Sequence, residues 1–207
     1  MDKTSKLFDT WASNGRSEDM EKGHGTTVNQ FLEKLPLKNN FTFLDIGCGN
    51  GWVVRKMSQN SNCLKSVGID KSNLMIKNAK SKISSVKEKY FCTELETWKT
   101  SEKFDIIFSM ESLYYSVPME NALQKVFKLL KKDGIFYCGT DFYSDNTLTT
   151  RWIKDMNIPM DLRSEKEWKS MFKDSGFTTR SKHVTDPKNK SKWKREFGTL
   201  FVIGRKP

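Results

Sequence analysis

Two acids and three glycines carry the first chemical signal in this sequence. The run Phe41-Thr42-Phe43-Leu44-Asp45-Ile46 is an apolar strand closing on a carboxylate, and Gly47, Gly49 and Gly51 follow at alternate positions. Cys48 and Asn50 lie between them, and Trp52-Val53-Val54-Arg55-Lys56-Met57 has helix-like patterning. Glycine lets the backbone turn tightly and lets a ligand come close to it. The helix start then offers unpaired N–H groups to that ligand. A nucleotide-like cofactor at the carboxyl edge of a parallel sheet is the reading these features support. The dinucleotide pattern G-x-G-x-x-G needs its third glycine for close helix–strand packing, and Trp52 occupies that place. A carboxylate at Asp45 repels a pyrophosphate but suits a cationic ligand. About twenty residues on, Leu64-Lys65-Ser66-Val67-Gly68-Ile69-Asp70 reads as a second strand ending in an acid, the position from which ribose hydroxyls are bound. Lys71-Ser72-Asn73 opens the next helix, with Ser72 as its N-cap.

The segment Asp45-Ile46-Gly47-Cys48-Gly49-Asn50-Gly51 resembles the first motif, D-x-G-x-G-x-G, of the class I S-adenosylmethionine (SAM)-dependent methyltransferases. The likeness runs from about Phe41 to Asp141. It implies SAM as cofactor, with S-adenosylhomocysteine (SAH) as product. It also implies binding by Asp45, Gly47, Cys48, Gly49, Asn50, Gly51, Asp70, Lys71, Thr93, Glu94 and Ser109. In that family the loop after the third strand holds the adenine. Here the loop is Cys92-Thr93-Glu94, where the family often has an Asp. The family's helix-to-strand segment L-x-P-G-G is matched by Leu129-Leu130-Lys131-Lys132-Asp133-Gly134. The first 25 residues are similar to the leading helix of the methyltransferase type 11 group, which folds over the cofactor. That likeness implies that Trp11 and Met20 cover SAM, that Arg16 pairs with its carboxylate and that His24 faces the methyl group.

A sulfonium already activates its methyl group, so the protein has to place a nucleophile in line and exclude water. A base is needed only where the nucleophile must lose a proton. The sequence puts Ser109, Met110, Glu111, Tyr114 and Tyr115 after the fourth strand, and Asp141, Phe142 and Tyr143 after the fifth. Glu111 is expected to orient a substrate amine or hydroxyl, or to act as base. Tyr114 and Tyr115 are expected to wall the substrate. His24 is expected to move a proton near neutral pH. His183, on a late strand, has no such context. The catalytic set is His24, Glu111 and Tyr115, and no metal is expected.

The elements that position these groups follow in order. A helical segment covers roughly 4–35. Strands and helices then alternate to about 143, with a third strand at 88–92, a fourth from 103, a helix over 118–132 stopped at Gly134, and a fifth strand after it. An insertion over 144–163 is expected to roof the pocket with Trp152. A helix over 164–174 starts at a Ser164–Glu167 capping box, and strands at 177–184 and 198–204 finish the chain. The fold class is α/β: a Rossmann-like, doubly wound seven-stranded sheet with an antiparallel last strand and helices on both faces. It is expected as a single domain over 1–207, with 1–35 as lid.

Composition agrees: 207 residues with 36% hydrophobic content can bury a core of this size. No run reaches transmembrane length, and the N-terminus lacks the apolar stretch of a signal peptide. Cys48, Cys63, Cys92 and Cys138 have neither zinc nor disulfide spacing, so a cytoplasmic protein is expected. More than half of the net charge of +11 lies in residues 187–207, among them Lys188, Lys190, Lys192, Lys194 and Arg195. The first functional reading is methyl transfer to a small molecule. The second is an RNA (tRNA) methyltransferase using this basic hairpin with Trp193. Against it, Ser109-Met110-Glu111-Ser112 stands where many base-nitrogen enzymes carry N/D-P-P-Y. The third is a non-catalytic SAM-binding subunit that stabilises a partner. The acceptor atom and the oligomeric state stay open at this level.

Overall fold

The computed structural model describes residues 2–207. Strands β1 (Phe41–Ile46), β2 (Cys63–Asp70), β3 (Glu88–Cys92), β4 (Phe104–Met110) and β5 (Leu130–Thr140) run parallel. With β6 (Thr178–Val184) and β7 (Thr199–Arg205) they form one seven-stranded sheet in the order β3-β2-β1-β4-β5-β7-β6. β7 is antiparallel to both of its neighbours. The helices are α1 (Lys3–Ser13), α2 (Arg16–Leu32), α3 (Trp52–Ser58), α4 (Asn73–Ser81), α5 (Met119–Leu129), α6 (Trp152–Met156), α7 (Glu165–Asp174) and α8 (Lys192–Glu196).

Strand alternation builds the two helical layers. Phe41, Phe43, Ile106 and Phe108 face one way and pack with Val28 and Phe31 of α2 and Val53 and Met57 of α3. Leu44, Ile46, Ile107 and Phe136 face the other way, onto Leu123 and Val126 of α5 and Trp168 and Phe172 of α7. The expected α/β sheet with helices on both faces is the fold observed.

The N-terminal helical segment is two helices, broken at Gly15, which adopts φ +79°. Two local expectations need correction. The helix expected over 118–132 ends at Leu129, and β5 begins at once with buried Leu130. Gly134 does not stop it. The left-handed turn falls on Asp133 (φ +62°), which Arg205 holds at 2.6 Å. Gly134 instead allows a close approach, because a Cβ there would lie 2.9 Å from the Lys131 carbonyl oxygen. The last connection is not a plain basic hairpin. It carries α8, which turns Lys194 inward to 2% exposure while Lys188, Lys190, Lys192 and Arg195 stay exposed.

Candidate functional site

Strand order reverses between β1 and β4, and at such a switch point the loops part to leave a crevice beyond the carboxyl ends. A cavity of about 360 Å³ lies there, lined from the ends of β1, β2 and β4 and closed from α1 and α2 by Phe8, Met20 and His24.

The glycine turn forms its floor. Gly49 adopts φ +52°, and a Cβ there would meet nothing within 4 Å. The backbone at this point faces open space. Gly47 (φ +70°) differs, since its Cβ would strike the Ser112 Oγ. That glycine lets the loop after β4 close against the turn. Asp70 ties the two strand ends together, accepting from the Gly49 N–H (2.9 Å) and the Ser72 N–H (2.8 Å). Asp45 is 3% exposed and lines the cavity. Burial, then the neighbouring Asp70 charge, pushes its carboxyl well above the usual carboxylate range, and no hydrogen bond among the described residues offsets this. A buried acid without a partner, beside an open glycine, fits a ligand that brings its own positive charge. These residues fit SAM.

Of the residues expected at the cofactor, Asp45, Gly47, Cys48, Gly49 and Asn50 line the cavity, as do Asp70, Lys71, Thr93 and Glu94. Gly51 does not; its Cβ position abuts the Tyr90 ring at 2.6 Å. Ser109 does not either. It alternates with cavity-lining Phe108 and Met110 and is fully buried, with its hydroxyl unpartnered. Asn50 donates to Glu21 at 2.9 Å, joining α2 to the turn.

The N-terminal residues expected over the cofactor divide. Met20 and His24 line the cavity, but Trp11 and Arg16 do not. Trp11 packs with Ala12 and Met75, and the Arg16 guanidinium stacks on its ring at 3.8 Å. Phe8, one helical turn earlier, takes the place in the cavity and meets Tyr115 edge to face at 5.2 Å. The 3.6-residue period carries Phe8 as the signal. The 144–163 insertion does not line the cavity. It backs the wall instead, with Trp152 stacked on Phe142 and the Met156 sulfur 3.7 Å from the Tyr115 hydroxyl.

Glu111 stands at the end of β4 in the left-handed region (φ +52°), a conformation that strains a residue with a Cβ. Its carboxyl is held at both oxygens. The Asp141 N–H donates to Oε1, and the Tyr114 hydroxyl donates to Oε2 at 3.0 Å. Burial, and then the Asp141 charge, raises its pKa to about 8. Burial pushes the Tyr114 and Tyr115 phenols up; Tyr115 lines the cavity, whereas Tyr114, expected beside it, is buried behind the lining and donates to Glu111. Asp141 is fully buried behind Glu111, with Oδ1 accepting from Thr199 at 2.6 Å and Oδ2 ion-paired to Lys194 at 2.7 Å. Tyr143 points to the Phe197 and Gly198 carbonyls and is a packing residue. His183 pairs with Glu165 at 2.9 Å, away from the cavity.

His24 needs the largest revision. Its Nδ1 lies 3.0 Å from the Lys194 Nζ, and its pKa falls to about 4 through burial and then through Lys194, against the pull of Asp141. It is therefore neutral at neutral pH and a poor proton carrier there. Nothing in the local sequence pairs Lys194 with residues 24 and 141, and sequence reasoning missed it. Groups of His, Cys, Asp and Glu able to hold a metal are absent among the described residues, and no helix among them is long and apolar enough to cross a membrane.

Comparison with known proteins agrees with this geometry. The chain is 26% identical over 152 residues to the ubiquinone biosynthesis O-methyltransferase of Pelagibacter ubique, covering 68% of this chain and 63% of that protein. It is 22% identical over 147 residues to the trans-aconitate 2-methyltransferase of Escherichia coli, covering 71% and 53%. The chain thus spans about half to just under two thirds of these curated relatives. Among solved structures, a chain of the complex between the Haloferax volcanii Trm112 methyltransferase activator and a methyltransferase superposes with a TM-score of 0.91, at 25% identity over 97% of both chains. PigF with SAH shares the fold at a TM-score of 0.78 and 14% identity, over all of this chain and 62% of that one. The methyltransferase-domain family matches residues 17–182. That match runs through α2 and all five parallel strands, so the chain belongs to the class I SAM-dependent methyltransferases.

Proposed function

We propose that this protein transfers the methyl group of SAM to a small-molecule acceptor that gives up a proton, a hydroxyl or an amine. When bound, SAM supplies the electrophilic methyl group. Asp45 provides the counter-charge for its ammonium end, Gly49 the open backbone against which it lies, Asp70 the acceptor for the ribose hydroxyls, and Thr93 and Glu94 the adenine contacts. Glu111 receives the acceptor's proton. A base with a pKa near the working pH is the efficient kind, and Glu111 is raised to about 8. Tyr115 and Phe8 wall the acceptor, while α1 and α2 exclude water.

The observation that carries this reading is Glu111: strained, gripped at both oxygens and facing the cavity that Asp45 and the open glycine share. Small size follows from the lid that Phe8, Met20 and His24 bring over that cavity. The basic segment lends little to an RNA reading, because Lys194 is buried and Trp193 packs on Trp152 at 5.5 Å. The test is conversion of SAM to SAH over cell metabolites, with and without nuclease treatment. Turnover that survives nuclease supports the reading. Turnover lost with nuclease favours RNA, and SAM binding without turnover favours a non-catalytic subunit.

A second reading, that the protein works with an activator protein, draws on its likeness to the Trm112-bound chain. β3 is a free sheet edge, and Leu64 (57%), Val86 (99%) and Phe91 (41%) are exposed on or beside it. Exposed apolar groups on an open edge invite a partner strand. Gel filtration with Haloferax volcanii Trm112 tests it: co-elution supports it, and separate elution counts against it.

A further inference from the structure

Lys194 sits between two groups that would otherwise meet. Its Nζ is 2.7 Å from Asp141 Oδ2 and 3.0 Å from His24 Nδ1, whereas His24 and Asp141 are 3.9 Å apart. A histidine whose Nδ1–H points at a buried carboxylate keeps Nε2 free to take a proton, the arrangement that makes a base of it. Here a cation is interposed. An ammonium has three donors and no acceptor, so His24 Nδ1 must accept and its single proton must lie on Nε2. The ring lines the cavity, and Nε2 has no hydrogen-bond partner among the described residues.

We propose that Lys194 is a positioning residue that fixes His24 as the neutral Nε2–H tautomer, so that His24 donates a hydrogen bond to the methyl acceptor and Glu111 alone receives its proton. The proposal rests on the methyl-transfer reading for its second half only. The charged groups near the ring all fit. Lys194 comes from α8 and Asp141 from the end of β5, Glu111 follows β4, and Glu21, on the same helix, is bound to Asn50. Of these, Lys194 is the one that contacts Nδ1. The low pKa of His24 agrees, with burial first and Lys194 second.

The experiment is NMR of protein carrying ¹⁵N-histidine, bound to SAH, with His183→Gln to assign the two rings. The expected wild-type pattern is a bare Nδ1 and a protonated Nε2 down to about pH 5. In Lys194→Met, Asp141 becomes the nearest charge, and the His24 midpoint should rise by about two pH units. Lys194→Arg should retain the wild-type tautomer. A wild-type Nδ1–H tautomer, or a midpoint unmoved in Lys194→Met, overturns the proposal. If Lys194→Met fails to fold by circular dichroism, Lys194→Gln replaces it, and the wild-type tautomer is decisive on its own. For the second half, the pH profile of SAH formation in nuclease-treated extract should keep its midpoint in His24→Gln and lose it in Glu111→Gln. A midpoint that moves in His24→Gln overturns that half. No turnover with any acceptor defeats the small-molecule reading while leaving the tautomer result in place.

Discussion

Lys194 and Asp141 form a buried ion pair at 2.7 Å, with side chains 3% and 0% exposed. The pair joins the segment between β6 and β7 to the end of β5. Burial alone would raise the Asp141 carboxyl, but Lys194 and then His24 outweigh it and hold it below the usual carboxylate range. Removing the cation leaves a buried charge uncompensated, so Lys194→Met should lower the unfolding free energy by about 3–5 kcal/mol. Urea unfolding at pH 7 measures this. Because the folded pKa is depressed, the stabilisation is present above the ordinary pKa of about 4 and is lost as pH falls below it. The variant and the wild type should therefore converge in stability in acid.

Glu111 gives the opposite sign. Its folded pKa of about 8 lies above its unfolded value, so stability falls as pH rises from about 4 through 8. Glu111→Gln should be more stable than wild type at pH 8, by about 1 to a few kcal/mol, and little different at pH 4. The same change should cut methyl transfer by about 10²–10⁴-fold if the carboxyl is the base. Paired unfolding curves and SAH formation rates check both halves.

Gly49→Val should abolish SAM binding while the protein still folds. The new side chain enters open space, and the left-handed backbone adds strain of about 1–3 kcal/mol. Gly47→Ala should disturb the loop after β4 instead, since its methyl group strikes Ser112. Calorimetry with SAM, beside a folding control, separates the two effects.

Replacing exposed Lys188, Lys190 and Lys192 by Ser should leave methyl transfer nearly unchanged. An RNA enzyme would lose affinity, with a shallower salt dependence. Rates measured across a salt series decide between them.

Removing residues 1–14 should weaken SAM binding about tenfold or more, because Phe8 leaves the cavity wall. The core should persist, since Val28, Phe31 and Leu32 of α2 remain. Binding and unfolding of the shortened chain test this.

The cofactor half was legible because it is local. Asp45, the glycine turn and Asp70 stand at strand ends that the apolar pattern itself marks, and the sheet brings those ends together. Ser109 was misplaced by strand parity, since Phe108 and Met110 point into the cavity and Ser109 does not. The family likeness pointed to Trp11, but the helix face that meets the cavity presents Phe8. Lys194 read as one lysine among many because charge counting says nothing of direction. Its inward turn depends on α8 and on an acid 53 residues away, a pairing that no local pattern encodes.

The placement of Lys194 also sets an order of assembly during synthesis. β1 to β5, with the glycine turn, Asp70 and Glu111, leave the ribosome well before α8 does. A nascent chain at that stage holds the groups proposed to meet SAM, but Asp141 lacks the Lys194 cation and His24 lacks its Lys194 contact. The half of the cavity proposed to bind the cofactor is thus made before α8, and the half proposed to govern the proton waits for α8.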